Sequence, residues 1–80
     1  MNIYRYNGRS NLCGIRVKQA RTRLKWSQEQ LAAQIQLTGL DITQRAISRI
    51  ETGDRVVPDY ELIHLSKALD VSIQYLLGLE

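Results

Sequence analysis

The chain has little of several residue types, and each shortage excludes a class of protein. Among its 80 residues there is one Cys, Cys13, so no disulfide can form within the chain and no cysteine cluster can hold a metal. No apolar run is long enough to cross a membrane. The sequence also lacks a nucleophile–base set, a phosphate-binding glycine loop and paired carboxylates in an apolar setting, so an enzyme is not expected.

Acidic residues are missing from the first third of the chain. Seven basic residues and no acidic one precede Glu29, whereas the rest of the chain holds four basic and eight acidic residues, a net charge of −4. A basic half indicates a polyanionic partner, most often nucleic acid. A solvated basic helix surface would give the same composition, so charge alone leaves both interpretations open.

Two helices are predicted in the first half of the domain. A stripe of apolar residues at spacings of four, three and four predicts a helix from Asn11, its N-cap, to about Lys25, with inward-facing Cys13, Val17, Ala20 and Leu24. Ile15 falls on the other side and would need a partner such as the N-terminal arm. Ser27 and Gln30 form a capping box that begins a second helix, with Trp26 and Leu31 as a hydrophobic staple.

The stretch "DITQRAISRIETGDR" separates into two helix faces. Ala46, Ile47 and Ile50 cluster on one side of the helical wheel, so they are expected to face the core. The outward side carries hydrogen-bonding groups but no acid: Arg45, Ser48, Arg49 and Thr52, with Gln44 at its rim. Gly53 can end the helix in the left-handed conformation.

Two further helices complete an all-α prediction. Asp59 is expected to cap a fourth helix, and Ser72 a short fifth helix. We therefore predict a compact five-helix bundle over residues 12–80, preceded by an N-terminal arm at residues 1–11. In that arm, Arg5 and Arg9 could contact DNA, or they could belong to a loose solvated tail.

The order of these segments resembles a known family. "RVKQARTRLKWSQEQLA", "AISRIETG" and "ELIHLSKALDVSIQYLL" are similar, in order and register, to the phage repressor and Cro-like DNA-binding domains of the xenobiotic-response-element type. The resemblance covers residues 12–78. It implies a lambda-repressor-like bundle with a helix-turn-helix, a double-stranded DNA operator as partner, and a homodimer that acts as a transcriptional repressor. The apolar residues near the C-terminus, Tyr75, Leu77 and Leu79, would then be core or dimer contacts.

The resemblance also assigns roles to residues of the second and third helices. The recognition helix would span residues 43–52 and read bases with Gln44, Arg45, Ser48 and Arg49. DNA phosphates would be contacted by Ser27, Gln28, Thr43, Thr52 and Arg55. Arg49 lies farther along the helix and is also a candidate for a phosphate. Arg21 and Glu51 would form a structural ion pair between the first and third helices.

One segment departs from the family pattern. The distance from Leu31 to Glu51 is about five residues longer than the usual spacing, and the extra residues fall in 36–42. Either the second helix or the following turn is therefore longer. Both Asp41 and Thr43 can cap the recognition helix, and the family register favours Thr43.

The main alternative is a protein-interaction module on the same fold, such as an antitoxin or an adaptor. No cofactor, metal or small-molecule ligand is expected, because His64 and Cys13 stand alone; we expect His64 at the surface or its boundary and Cys13 in the core. A free thiol suits the reducing cytoplasm, which is the expected location.

Overall fold

The computed structural model describes residues 5–80, and this part of the chain contains five helices. They are α1 (Gly14–Arg23), α2 (Gln28–Leu37), α3 (Gln44–Thr52), α4 (Asp59–Leu69) and α5 (Ile73–Leu76). The all-α five-helix bundle is as predicted. Residues 1–4 of the predicted arm lie outside the described residues. None of these helices combines the length and the apolarity that crossing a bilayer requires.

A single apolar core holds the helices together, and α3 packs against both α1 and α2. Each helix contributes at least one buried side chain, including Val17, Ile35, Ile47, Leu65 and Leu76. The predicted inward face of α3 is confirmed at Ile47 and Ile50, which are fully buried, while Ala46 lies half-buried at the edge of the core. This packing leaves the opposite face of α3 toward solvent.

The helix ends were predicted correctly in most cases. Ser27 and Gln30 form the expected capping box, and Ser72 Oγ accepts a hydrogen bond from the Tyr75 backbone N–H at 2.9 Å. Gly53 ends α3 with φ 87°, a left-handed conformation that side chains disfavour. The prediction that Asp59 caps α4 is wrong, because extended Pro58 is the N-cap and Asp59 is already the first helical residue.

The first helix is shorter than its apolar stripe predicts. Asn11 Oδ1 accepts from the Gly14 N–H at 2.8 Å, so Asn11 does satisfy the start of α1, but the regular helix begins only at Gly14 and ends at Arg23. Lys25 has a positive φ of 61° and turns the chain toward α2. Leu24 is therefore exposed rather than inward, and Ile15 is exposed rather than covered by the arm.

The lengthened segment forms a turn of residues 38–43 between α2 and α3, longer than the three to four residues of a usual helix-turn-helix. Ile42 is buried in the core, and the Gln36 side chain donates to its carbonyl oxygen at 2.8 Å. Thr38 Oγ1 lies 2.6 Å from Nδ1 of half-buried His64, which ties the end of α2 to α4. The extra residues are thus held at both sides of the turn.

Candidate nucleic-acid interface

Side chains cap both helices of the helix-turn-helix at their N-terminal ends. Thr43 Oγ1 accepts from the Ala46 backbone N–H at 3.1 Å, so Thr43 rather than Asp41 caps α3. At α2, Ser27 Oγ accepts from the Gln30 N–H at 3.0 Å while Gln30 Oε1 accepts from the Ser27 N–H at 2.7 Å. The remaining N–H groups of each first turn carry the positive end of a helix dipole.

The outward face of α3 carries the predicted base-reading set. Gln44, Arg45 and Arg49 are exposed, and Ser48 is half-buried. These side chains offer amide, guanidinium and hydroxyl groups, the types that pair with base edges in a major groove. The core contacts of Ile47 and Ile50 hold the helix with this face outward.

A chain of hydrogen bonds links the tip of α3 to α2 and α1. Gln44 Nε2 donates to Gln28 Oε1 at 2.6 Å, and Gln28 Nε2 donates to Glu51 Oε1 at 3.1 Å. Glu51 in turn accepts from Arg21, whose Nη1 also donates to the Trp26 carbonyl at 2.8 Å. Gln28 therefore contacts both ends of α3, and it orients the exposed amide of Gln44.

The ion pair at the base of this chain is bidentate and largely buried. Arg21 Nε donates to Glu51 Oε2 at 2.6 Å and Nη2 donates to Oε1 at 3.0 Å. The side chains of Arg21 and Glu51 are only 11% and 3% exposed. The hydrogen bonds that Arg21 donates to Glu51 raise the pKa of Arg21 above its ordinary value, so the guanidinium stays charged.

The C-terminal end of the predicted DNA-binding face contains an acid that sequence reasoning did not include. Thr52 Oγ1 donates to Asp54 Oδ2 at 2.8 Å, and Arg49 Nη2 donates to the Asp54 carbonyl at 3.2 Å. Asp54, which lies just beyond the C-cap Gly53, thus holds both predicted DNA-contacting side chains. Asp54 is exposed here, so its carboxylate adds a negative charge beside Thr52.

Arg55 stands apart from the other predicted phosphate contacts. Its Nη2 donates to Glu61 Oε2 at 2.9 Å, and its Nη1 donates to Glu61 Oε1, which makes a second bidentate ion pair. The hydrogen bonds that Arg55 donates to Glu61 raise the pKa of Arg55. Glu61 is buried at the first turn of α4, and no helical or strand spacing connects it to Arg55, so sequence alone offered no signal for this pair.

Neither Cys13 nor His64 belongs to a metal-binding arrangement within residues 5–80, where no cluster of His, Cys, Asp and Glu has that geometry. Cys13 is buried, and burial raises the pKa of its thiol from 9.0 to about 11. A protonated buried thiol is a poor nucleophile and a poor ligand. Cys13 therefore acts as a small apolar core residue.

The sequence matches the helix-turn-helix family over residues 17–76, three quarters of the chain, and the protein belongs to this family. Its structure is similar to a crystal structure of the P22 c2 repressor protein in complex with the synthetic operator 9T in the presence of Tl⁺. The two share 31% sequence identity with a TM-score of 0.73, and the similarity covers 88% of this chain and 98% of the repressor chain. No curated protein sequence gives a significant match.

Proposed function

We propose that the protein is a sequence-specific DNA-binding transcriptional repressor. The observation that carries this proposal is the outward face of α3, where donor and acceptor groups project from a helix that is anchored to the core on its other side. An α-helix of this kind fits the major groove of B-DNA. The similarity to an operator-bound repressor supports the same function.

In this proposal, Gln44, Arg45, Ser48 and Arg49 face the base edges. Gln44 is the strongest candidate, because it lies at the first turn of α3 and its amide is held by Gln28. A glutamine amide pairs bidentately with adenine, and an arginine guanidinium with guanine. Arg49 lies about one and a half turns beyond Gln44. It donates to the Asp54 carbonyl, and its proposed partner is a base or a neighbouring phosphate.

Phosphate contacts are proposed at the starts of α2 and α3 and beyond the end of α3. Ser27, Gln28 and Thr43 lie at the two helix N-termini, where N–H groups and the helix dipole favour an anion. The Gln28 amide has two N–H donors and gives one to Glu51, so the other can serve a phosphate oxygen. Thr52 already donates a hydrogen bond to Asp54, and Arg55 to Glu61. Each would have to bind a phosphate in addition to that partner.

We propose further that the protein acts as a homodimer in the cytoplasm. Two copies would place their α3 helices in successive major grooves about 34 Å apart, and the bound dimer would block access by other proteins. Leu79, which is exposed, and the half-buried Tyr75 and Leu77 are candidates for the dimer contact.

Selection of bound duplexes from a random pool tests this function, since the enriched sequence also gives the half-site spacing. Gln44→Ala and Arg45→Ala are expected to reduce base discrimination by about ten- to hundredfold. Gln28→Ala should weaken binding to all duplexes and, because Gln28 holds the Gln44 amide, also reduce discrimination at the base that Gln44 reads. Gln34→Ala, an exposed glutamine of the same α2, and Lys67→Ala, an exposed cation of α4, are the matched controls.

Titration of random duplex DNA at two salt concentrations tests the class of function. Binding that weakens with salt is expected, because phosphate contacts release counterions. If no duplex bound at low salt, the helix-turn-helix would have to serve a protein partner, as in an antitoxin or an adaptor. If the three substitutions left operator affinity unchanged, the assignment of the site would be wrong.

A further inference from the structure

The C-terminal end of α3 is bound by a short segment that lies before α1. The last carbonyl groups of a helix have no partner within the helix and need donors from elsewhere. Arg9 Nη2 donates to Ile50 O at 3.4 Å and to Glu51 O at 3.0 Å, and Arg9 Nη1 donates to Thr52 O at 3.4 Å. The Ser10 N–H donates to Gly53 O at 2.7 Å. Consecutive carbonyls from 50 to 53 therefore all receive a hydrogen bond from this segment.

Asn11 adds a second layer of contacts at the same place. Its Nδ2 donates to Ile50 O at 2.9 Å and to Arg55 O at 2.8 Å, while its Oδ1 accepts from the Gly14 N–H. Asn11 is buried, so these amide groups are shielded from water. One side chain thus joins the start of α1 to the end of α3 and to the following loop.

The segment is shaped to present Arg9. Tyr6 and Arg9 pair their backbones around Asn7 and Gly8, whose φ angles of 52° and 78° form a tight turn. Arg9 Nε also donates to Asn11 O at 3.4 Å, and this hydrogen bond holds the guanidinium against the backbone two residues further along the segment. This order does not support a loose solvated tail at these residues.

Two glycines leave room for the contact. A Cβ atom on Gly53 would lie 2.8 Å from Arg9 Cζ, and a Cβ atom on Gly14 would lie 2.0 Å from Ile50 O. Any larger residue at either position would push Arg9 or the start of α1 away from α3. The close approach therefore depends on the residue types at both positions.

We propose that Arg9 is a positioning residue for DNA recognition, which fixes the C-terminal end of α3 and thereby the angle at which α3 meets DNA. This inference rests on the proposed function. The positive charge of Arg9 also stabilises the C-terminal end of α3, because a cation there interacts favourably with the negative end of the helix dipole. Arg9 lies outside residues 17–76, the range that matches the helix-turn-helix family.

Arg9 acts through the protein and not as a DNA contact. A guanidinium has five N–H donors, and Arg9 makes four hydrogen bonds to carbonyl groups of its own chain. One N–H donor of the guanidinium is left, which does not allow a bidentate hydrogen bond to a phosphate. Arg5 offers the opposite case, since it is exposed and its described hydrogen bond is to Gly8 O within the same turn.

The test compares Arg9→Ala with Arg5→Ala, which removes the same charge from the same segment without touching α3. Affinity is measured for the duplex selected by the wild-type protein and for that duplex with one base pair changed, at two salt concentrations and at a temperature where all variants are folded by circular dichroism. Arg9→Ala should weaken the selected duplex about tenfold and the changed duplex much less, with an unaltered salt slope. Arg5→Ala should change both duplexes equally.

Arg9→Lys separates positioning from phosphate binding. A lysine keeps the charge but has no fork for adjacent carbonyls, so it should restore only part of the lost discrimination. Amide hydrogen exchange of Gly53 and Asp54 in free Arg9→Ala should be faster than in the wild type, while exchange within α2 stays the same.

Several results would overturn the proposal. They are equal losses for both duplexes in Arg9→Ala, a salt slope reduced by about one, or full rescue by lysine, because each indicates a direct phosphate contact. Unchanged exchange at Gly53 and Asp54 would show that Arg9 does not order the helix end. If the wild-type protein bound no duplex, the proposed DNA-binding function would fail. Faster amide exchange in free Arg9→Ala would then still show that Arg9 orders the end of α3, so the two failures can be told apart.

Discussion

The two ends of α3 are held in very different ways. At the C-terminal end, Glu51 and Gly53 are buried, and the side chains of Arg9, Asn11 and Arg21 bind this end from outside the helix. At the N-terminal end, Gln44 is exposed, and among the described residues its side chain forms a hydrogen bond only with Gln28. The helix is therefore anchored at one end and presented at the other.

This difference suits a helix that must enter a groove. A recognition element needs a fixed orientation, because small changes in angle at one end move the reading side chains at the other. It also needs polar groups whose hydrogen bonds are not already used by the protein. The anchored C-terminal end of α3 fixes the orientation of the helix, and the exposed N-terminal end offers the free polar groups.

The largest effect is expected from breaking the anchored end. Arg21→Ala leaves Glu51 buried without its ion-pair partner, and this should lower the free energy of unfolding by about 3–5 kcal/mol. Denaturant unfolding followed by circular dichroism measures the change. The matched control is Lys18→Ala, which removes a charge from an exposed position of α1 and should stay within about 0.5 kcal/mol. Equal effects of the two substitutions would mean that the ion pair does not anchor α3.

A smaller change in stability is expected from raising the pH, through Cys13 at the start of α1, the helix start that contacts the end of α3. The pKa of Cys13 is about 11 in the folded protein against 9.0 for an unperturbed thiol. The unfolded chain therefore loses this proton first as pH rises, and stability should fall by roughly 2 kcal/mol between pH 9 and 11. Urea unfolding at several pH values measures the loss.

Cys13→Ala supplies the comparison for this pH dependence. Cys13 is the only ionisable side chain that this substitution removes, so the difference between the two pH profiles isolates the thiol. The alanine protein is expected to be less stable at pH 7 and to lose less stability above pH 9. Parallel profiles would show that Cys13 does not carry the effect.

The smallest effect is expected at the presented end. Thr43→Ala removes the side-chain cap of α3 and should lower the free energy of unfolding by about 1 kcal/mol, because the Ala46 N–H loses its hydrogen-bond acceptor. Thr43→Ser keeps the hydroxyl and should restore most of that loss. A cost as large as that of Arg21→Ala would contradict the asymmetry between the two ends.

Much of the fold could be predicted from local patterns. The spacing of apolar residues located all five helices, and the cap residues Ser27 and Ser72 act over three residues of chain, so their signals are readable in the sequence. Thr43 was favoured over Asp41 only by the resemblance to the family. The errors arose where a pattern continued beyond its element. Leu24 extends the stripe of α1 but follows the end of that helix, and Asp59 is a good cap residue that lies one position after the actual N-cap, Pro58.

The candidate site was predictable only in part. The outward face of α3 follows from the helical wheel, so the exposed positions of Gln44, Arg45 and Arg49 were accessible from the sequence. The contact of Arg49 with Asp54 was not, because Asp54 reaches Arg49 only through the turn of the backbone after α3. Whether these side chains bind DNA stays a prediction.

The sequence by itself determined five amphipathic helices, the polar face of α3 and the basic character of the first third of the chain. Each of these depends on residues that are neighbours along the chain or on one helix surface. Only the tertiary structure decided that Arg9 and Asn11 bind the end of α3 and that Arg55 pairs with Glu61. The physical reason is that hydrogen bonds between distant segments depend on how the helices pack, and no periodicity in the sequence records that packing.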